Sequence, residues 1–213
     1  MRAVIFANGD FAQPRQTRDL LRADDLIIAV DGGTRHAWEV GTEPHLVVGD
    51  LDSLTSEEQE RLTNAGVELS SFPPRKDETD LELALRRAAS DGAQSIVILA
   101  AVGGRLDQTV ANLLLLTLPE LRGLDIRVVQ GDEEAFLIRD ESLIEGRPGD
   151  TVSLIPFAGD ALGVTAEGME WPLREEALRF GATRGISNVL KDEQAPVRVR
   201  QGLLLCVVTH AKK

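Results

Sequence analysis

Cysteine is almost absent from this chain. Cys206 stands alone inside the apolar run 203–208, and a single buried thiol forms no internal disulfide, which makes a reducing, cytoplasmic compartment the default. Histidine is scarce too: His36, His45 and His210 lie far apart, and with no second cysteine nothing has the ligand spacing of a zinc site. Long apolar runs are missing, since no stretch reaches the roughly 18 residues a membrane-spanning helix needs. The opening apolar run, residues 2–7, breaks at Asn8-Gly9-Asp10; it is too short for a signal peptide and reads as a first strand. Basic residues are outnumbered, 23 Lys and Arg against 35 Asp and Glu, for a net charge of −12. That balance excludes a nucleic-acid binder that works through a broad basic surface. It is compatible with metal-dependent handling of nucleotides, where a cation bridges protein and phosphate. No Gly-x-x-x-x-Gly-Lys-Ser/Thr loop, dinucleotide fingerprint or nucleophile-elbow serine occurs anywhere.

What is present is a chain of 213 residues, 43% apolar and 27% charged, the composition of an ordinary globular protein with room for one large domain or two modest ones. Up to about residue 131 strand and helix signals alternate. Strands are expected at 2–7, 26–30, 45–48, 67–72 (ending at Pro73-Pro74), 95–102 and 124–130. Helices are expected at 13–23, 34–40, 58–65, 79–91 and 106–118. Gly41 stands where a helix C-terminus favours glycine, and Thr55-Ser56-Glu57-Glu58 has the form of a capping box. Strands without polar alternation, joined by helices, predict a doubly wound, mostly parallel α/β domain over residues 1–131. Beyond it the rhythm changes to short strands, at 135–139, 151–157, 163–166, 197–201 and 203–209, with one brief helical turn at 175–180. That pattern predicts a small antiparallel β-sandwich over residues 132–213.

In a doubly wound sheet, ligand groups gather at the carboxyl ends of the strands. Four segments stand there after predicted strands, Asn8-Gly9, Asp31-Gly32-Gly33, Gly49-Asp50-Leu51-Asp52-Ser53 and Gly103-Gly104-Arg105-Leu106-Asp107-Gln108, and a fifth, Asp77-Glu78-Thr79-Asp80, opens a helix. In an extended backbone Asp50 and Asp52, two residues apart, point to one face. Two anions held that close call for a hard cation, Mg²⁺ above all where phosphates supply further ligands; an Asx-type turn is the plainer reading. Asp80 can complete an acidic cradle or simply complement a helix N-terminus. Lys76 and Arg105 are phosphate-clamp candidates, Arg105 being equally a solvated surface residue. Asp107 is either a carboxylate at the start of a helix or a hydrogen-bond partner for a substrate hydroxyl or amine.

Taken in order, these segments resemble the thiamine pyrophosphokinase family. Its pattern runs Asp-Gly-Gly, Gly-Asp-x-Asp-Ser, Asp-x-Thr-Asp, Gly-Gly-Arg-x-Asp-His and a late Ser-Asn; here the last is Ser187-Asn188. The resemblance implies an ATP-binding catalytic α/β domain, a C-terminal β-sandwich that helps hold thiamine, and a homodimer with sites between subunits. It implies transfer of a diphosphoryl group from Mg-ATP to the thiamine hydroxyl, with release of AMP. Carried over by motif, Asp31, Asp50, Asp52 and Asp80 resemble the Mg²⁺-binding group. Catalysis would fall to Asp50, Asp52, Asp80 and Asp107. Asn8, Asp31, Gly32, Lys76, Thr79, Arg105, Gln108 and Asn112 would surround nucleotide and substrate, with Ser187 and Asn188 near the vitamin. One position departs: Gln108 stands where many bacterial members carry His, and an amide does not titrate. The alternatives are a pyrophosphokinase acting on a hydroxymethylpterin and a non-catalytic module that senses Mg-ATP.

Overall fold

A strand covered on both faces has no use for polar alternation, and the first 131 residues are built on that rule. In chain order they form β1 (Arg2–Phe6), α1 (Pro14–Leu20), β2 (Leu26–Val30), α2 (Gly33–Glu39), β3 (Leu46–Gly49), α3 (Ser56–Asn64) and β4 (Glu68–Ser71). There follow α4 (Asp80–Ser90), β5 (Ser95–Leu99), α5 (Leu106–Leu115), a 3-10 turn at Pro119–Leu121 and β6 (Asp125–Gln130). The structure is a computed structural model that describes residues 1–73 and 75–211; Pro74, expected to help end the β4 strand, lies outside the described residues. The chain divides into one unit of Met1–Gly131 and another of Asp132–Lys213.

The six strands of the first unit are parallel, in the order β6-β5-β1-β2-β3-β4. The chain winds outward from β1 to β4, then returns to the other side of β1 for β5 and β6. The reversal falls between β1 and β5, where loops leaving two neighbouring strands diverge and open a crevice at their carboxyl ends. Val4, Phe6, Ile27, Val97 and Leu99 form a core on one side with Ala37 and Val40, and Ala29, Val47, Leu51, Leu54 and Leu62 form another. The expected capping box is complete: Thr55 caps α3, with Glu58 bonding back to the Thr55 backbone. Gly41, at φ 81, closes α2 as expected. Helix α5 is shorter than its apolar run, because Pro119 cannot continue it. Leu106, Val110 and Leu114 leave an apolar stripe on its exposed face.

The second unit holds β7 (Glu133–Ile138), β8 (Glu141–Glu145), β9 (Thr151–Pro156), β10 (Ala161–Ala166), β11 (Leu173–Leu178), β12 (Asn188–Val189), β13 (Gln194–Arg198) and β14 (Leu204–Thr209). Its strands lie antiparallel in the orders β12-β9-β14-β7 and β11-β10-β13-β8. Phe136, Leu154, Leu204 and Cys206 from one layer pack with Ile144, Val164, Leu178 and Val197 from the other in a single core. The helical turn expected at 175–180 is instead strand β11. Its Leu-Arg-Glu-Glu-Ala-Leu sequence favours helix by propensity, but Leu173 and Leu178 are both buried against β10. An odd separation puts two strand residues on opposite faces. Here Glu175 takes φ 55 at a register shift, a β-bulge that returns both leucines to the core. Strands β8 and β12 were not expected, and β13 begins at Gln194, earlier than the expected 197.

Candidate functional site

The carboxyl ends of β1, β2, β3 and β5 converge with the start of α4 on one cleft of about 580 Å³. Asn8, Asp31, Asp50, Lys76, Thr79, Asp80, Arg105, Gln108 and Asn112 all line it. Of the expected first-unit residues, Gly32, Asp52 and Asp107 do not. Gly32 lies beneath the wall: a Cβ there would stand 2.4 Å from Asn8 Oδ1, so only glycine leaves that amide its place.

Asp31 is the buried member of the acidic set. It follows β2 at φ 45, and its Oδ1 accepts the Leu51 N–H at 3.1 Å. Gly49 makes this approach possible, since a Cβ on it would lie 1.9 Å from Asp31 Oδ1. Burial pushes the Asp31 carboxyl up to about 7, helped by the charge and hydrogen bond of Asp80 and the charge of Asp50, while the Leu51 N–H opposes the shift.

Asp50 and Asp52 are not brought together by an extended strand. β3 ends at Gly49, and Leu51 between the two acids adopts φ 63. Asp50 Oδ1 accepts the Asp52 N–H at 3.1 Å, which makes this an Asx-type turn. The turn nevertheless sets the two side chains together: a hydrogen bond to Asp50, and then its charge, raise the exposed Asp52 carboxyl. Asp80 opens α4, where Thr79 accepts the Glu82 N–H at 3.2 Å while Glu82 pairs with Arg86. Lys76 Nζ stands 2.6 Å from the buried Asp80 Oδ1, an ion pair without the directional geometry of a hydrogen bond.

The wall opposite comes from β1 and β5. Gly9 N–H donates to Ala100 O at 2.8 Å, and Gly104 N–H donates to Asp10 Oδ2 at 2.9 Å, so the two loops at the reversal are tied together. Asp10 was missed in the sequence; it lies on the loop four residues beyond the end of β1, whereas Asp31 follows β2 directly. Asn112 is buried and donates to Ala101 O at 2.7 Å, holding the end of the β5 loop. Arg105 and Asp107 are exposed and pair at 2.5 Å. Arg105 holds the Asp107 carboxyl below its usual range. Each histidine has a structural partner: His36 Nε2 meets Gly9 O at 3.2 Å, His45 Nδ1 accepts the Ile27 N–H at 3.0 Å, and His210 Nδ1 lies 2.8 Å from Asp150.

Ser187 and Asn188 belong to the second unit. Ser187 is exposed at φ 60, its N–H donating to Ser153 Oγ at 3.0 Å. The Asn188 amide brackets one residue: Oδ1 accepts the Trp171 N–H at 3.1 Å and Nδ2 donates to Trp171 O at 2.7 Å. Asn188 is therefore buried scaffolding for the backbone of Trp171, a residue that is itself 61% exposed.

Among the described residues no three His, Cys, Asp or Glu side chains are already drawn around one point as a metal group. The donors themselves fit a hard divalent ion. They are carboxylates close enough that Asp80 and Asp50 add to burial in raising Asp31 and that Asp50 raises Asp52, with Lys76 the cation paired to Asp80.

Known proteins share both units. Residues 17–128 match the thiamin pyrophosphokinase catalytic domain, and residues 140–204 match the thiamin pyrophosphokinase vitamin B1 binding domain. Thiamine pyrophosphokinase of Bacillus subtilis is 30% identical over 184 residues, covering 85% of this chain and 86% of that protein. The crystal structure of thiamine pyrophosphokinase from Bacillus subtilis superposes with a TM-score of 0.88 at 28% identity, covering 100% of both chains. That of thiamin pyrophosphokinase from Geobacillus thermodenitrificans gives 0.86 at 26% identity, covering 100% of this chain and 99% of the other.

Proposed function

The chain belongs to the thiamin pyrophosphokinase family, and we propose that the acidic cleft of its first unit is where Mg-ATP and the acceptor hydroxyl meet. Its activity is that family's: transfer of a diphosphate group from ATP to thiamine, giving thiamine diphosphate and AMP. The observation that carries this reading is the pair of family matches in tandem, one over each unit. The match of residues 140–204 to a vitamin B1 binding domain also favours thiamine over a pterin acceptor.

In this reading Asp31, Asp50, Asp52 and Asp80 hold Mg²⁺, which supplies charge neutralisation to the phosphate chain when bound. Lys76 and Arg105 meet phosphate oxygens, Lys76 from the cleft wall and Arg105 from the start of α5. Asn8, Gln108 and Asn112 border the nucleotide, and Thr79 fixes the start of α4 so that Asp80 faces the cleft. The thiamine hydroxyl attacks the β-phosphorus and AMP leaves; such a displacement depends on in-line positioning and needs no covalent nucleophile. Asp107, exposed and paired, orients Arg105. Gln108 positions by hydrogen bonding alone, so no proton passes through that residue.

The second unit is proposed to hold thiamine, with Ser187 beside the vitamin and Asn188 fixing the backbone that presents Trp171. A homodimer is proposed as well; the exposed stripe of Leu106, Val110 and Leu114 is suited to burial by a second copy. No described helix is long and apolar enough to cross a membrane, and the lone buried Cys206 supports a cytoplasmic setting.

The test is incubation of the purified chain with ATP, Mg²⁺ and thiamine. Thiamine diphosphate and AMP are expected in equal amounts. ADP as the nucleotide product would overturn the mechanism, and turnover of a hydroxymethylpterin without turnover of thiamine would overturn the acceptor.

A further inference from the structure

We infer that Gln59 is a positioning residue for the Asp50–Asp52 turn, an inference that rests on reading those two acids as metal ligands. The residue between them is the point of the turn. Leu51 is not glycine, yet it adopts φ 63, a conformation disfavoured for L side chains. It is held there from three directions. Its side chain is buried with Ala29, Val47, Leu54 and Leu62. Its N–H donates to Asp31 Oδ1 at 3.1 Å. Its carbonyl accepts from Gln59 Nε2 at 3.1 Å and from the Leu54 N–H at 3.2 Å, and the same Gln59 nitrogen reaches Leu54 O at 3.2 Å.

A primary amide has two hydrogens, so one side chain satisfies both carbonyls and brackets Asp52 and Ser53 between them. Arg35 holds the carbonyl in the middle, donating from Nη2 to Ser53 O at 2.7 Å while its guanidinium forks onto Glu58. Glu58 and Gln59 are neighbours in the first turn of α3, whose start is fixed by the Thr55 capping box. The carbonyls of residues 51, 53 and 54 are thus all engaged by donors from α2 and α3. Gln59 does not line the cleft; it acts on Asp50 and Asp52 only through Leu51. Without its two donations, the Leu51 carbonyl keeps only the Leu54 N–H, and a conformation that the peptide backbone resists is held less firmly. The spacing of the two carboxylates, set by that conformation, then varies.

The experiment uses the full chain and Gln59→Ala, with Gln59→Glu as a second variant of similar size whose carboxylate cannot donate. Mn²⁺ binding is read by electron paramagnetic resonance in the absence of nucleotide, and Leu51 amide exchange is read by NMR. Both variants are expected to bind Mn²⁺ about tenfold more weakly, as loss of a residue supporting a metal ligand does. Leu51 exchange is expected to quicken by about tenfold, because the opening is local. The KM for thiamine stays unchanged. Ile96→Val, a core variant away from the turn, controls for general destabilisation and is expected to move neither readout. Unchanged Mn²⁺ affinity or unchanged Leu51 exchange in Gln59→Ala overturns the inference, as does wild-type behaviour of Gln59→Glu. A wild-type chain that takes up no Mn²⁺ overturns the metal-ligand reading itself, a failure visible before any variant is made.

Discussion

Lys76 Nζ lies 2.6 Å from Asp80 Oδ1, and both side chains are largely withdrawn from solvent. Lys76, four residues ahead of its partner and just before α4, thus places a cation of the chain itself in the cleft lining. Lys76→Met is expected to lower kcat/KM by about ten- to a hundredfold, the worth of one charge-assisted contact to phosphate. Steady-state kinetics with varied ATP checks this. Lys76→Arg, which keeps the charge, is expected to lose less.

Asp52 is exposed and makes its closest polar contacts within its own turn. Removing its charge has little to disturb in the core. Asp52→Asn is expected to lower turnover by about a hundredfold or more, as loss of a charged metal ligand would, while the melting temperature stays close to that of the parent. Retained activity would remove Asp52 from the metal site.

Asn188→Ala strips the paired donor and acceptor from the Trp171 backbone. Leaving partly buried backbone groups unsatisfied costs about 1–3 kcal/mol. Denaturant unfolding of the variant is expected to show a loss of that size, with thiamine binding weakened as the Trp171 segment loosens.

Glu58 is held down to about 2 from its ordinary 4.5, chiefly by the Arg35 guanidinium, with burial opposing and the Thr55 N–H assisting. A carboxyl depressed in the folded state contributes stability that is fully present above its ordinary value and is lost as pH falls through its folded value. The melting temperature of the parent is therefore expected to exceed that of Glu58→Gln above pH 4.5 and to converge with it as pH approaches about 2. Thermal scans across that window check the sign.

Much of the first unit could be read in advance because its strands are buried along their length and its helices carry explicit start signals, Thr55 and Thr79 among them. The placing of Asp31 and Asp50 at one cleft followed from where strands end, and that of Asp80 from where a helix begins. The Asx-type turn that joins Asp50 and Asp52 was one of two open readings, but nothing in Gly-Asp-Leu-Asp-Ser announces the left-handed leucine inside it, which meets Asp31, Gln59 and the core through distant contacts. Asn188 could be picked out but not its task, because its partner Trp171 is set by the pairing of distant segments. Strand β11 was misread for the related reason that a bulge hides its alternation behind residues that favour helix.

Every residue lining the cleft falls between Ala7 and Asn112, and the six-stranded unit beneath it closes with β6 at Gln130. Domains commonly fold in turn as the chain is synthesised. The cleft walls can therefore assemble on the ribosome before most of the sandwich has been translated.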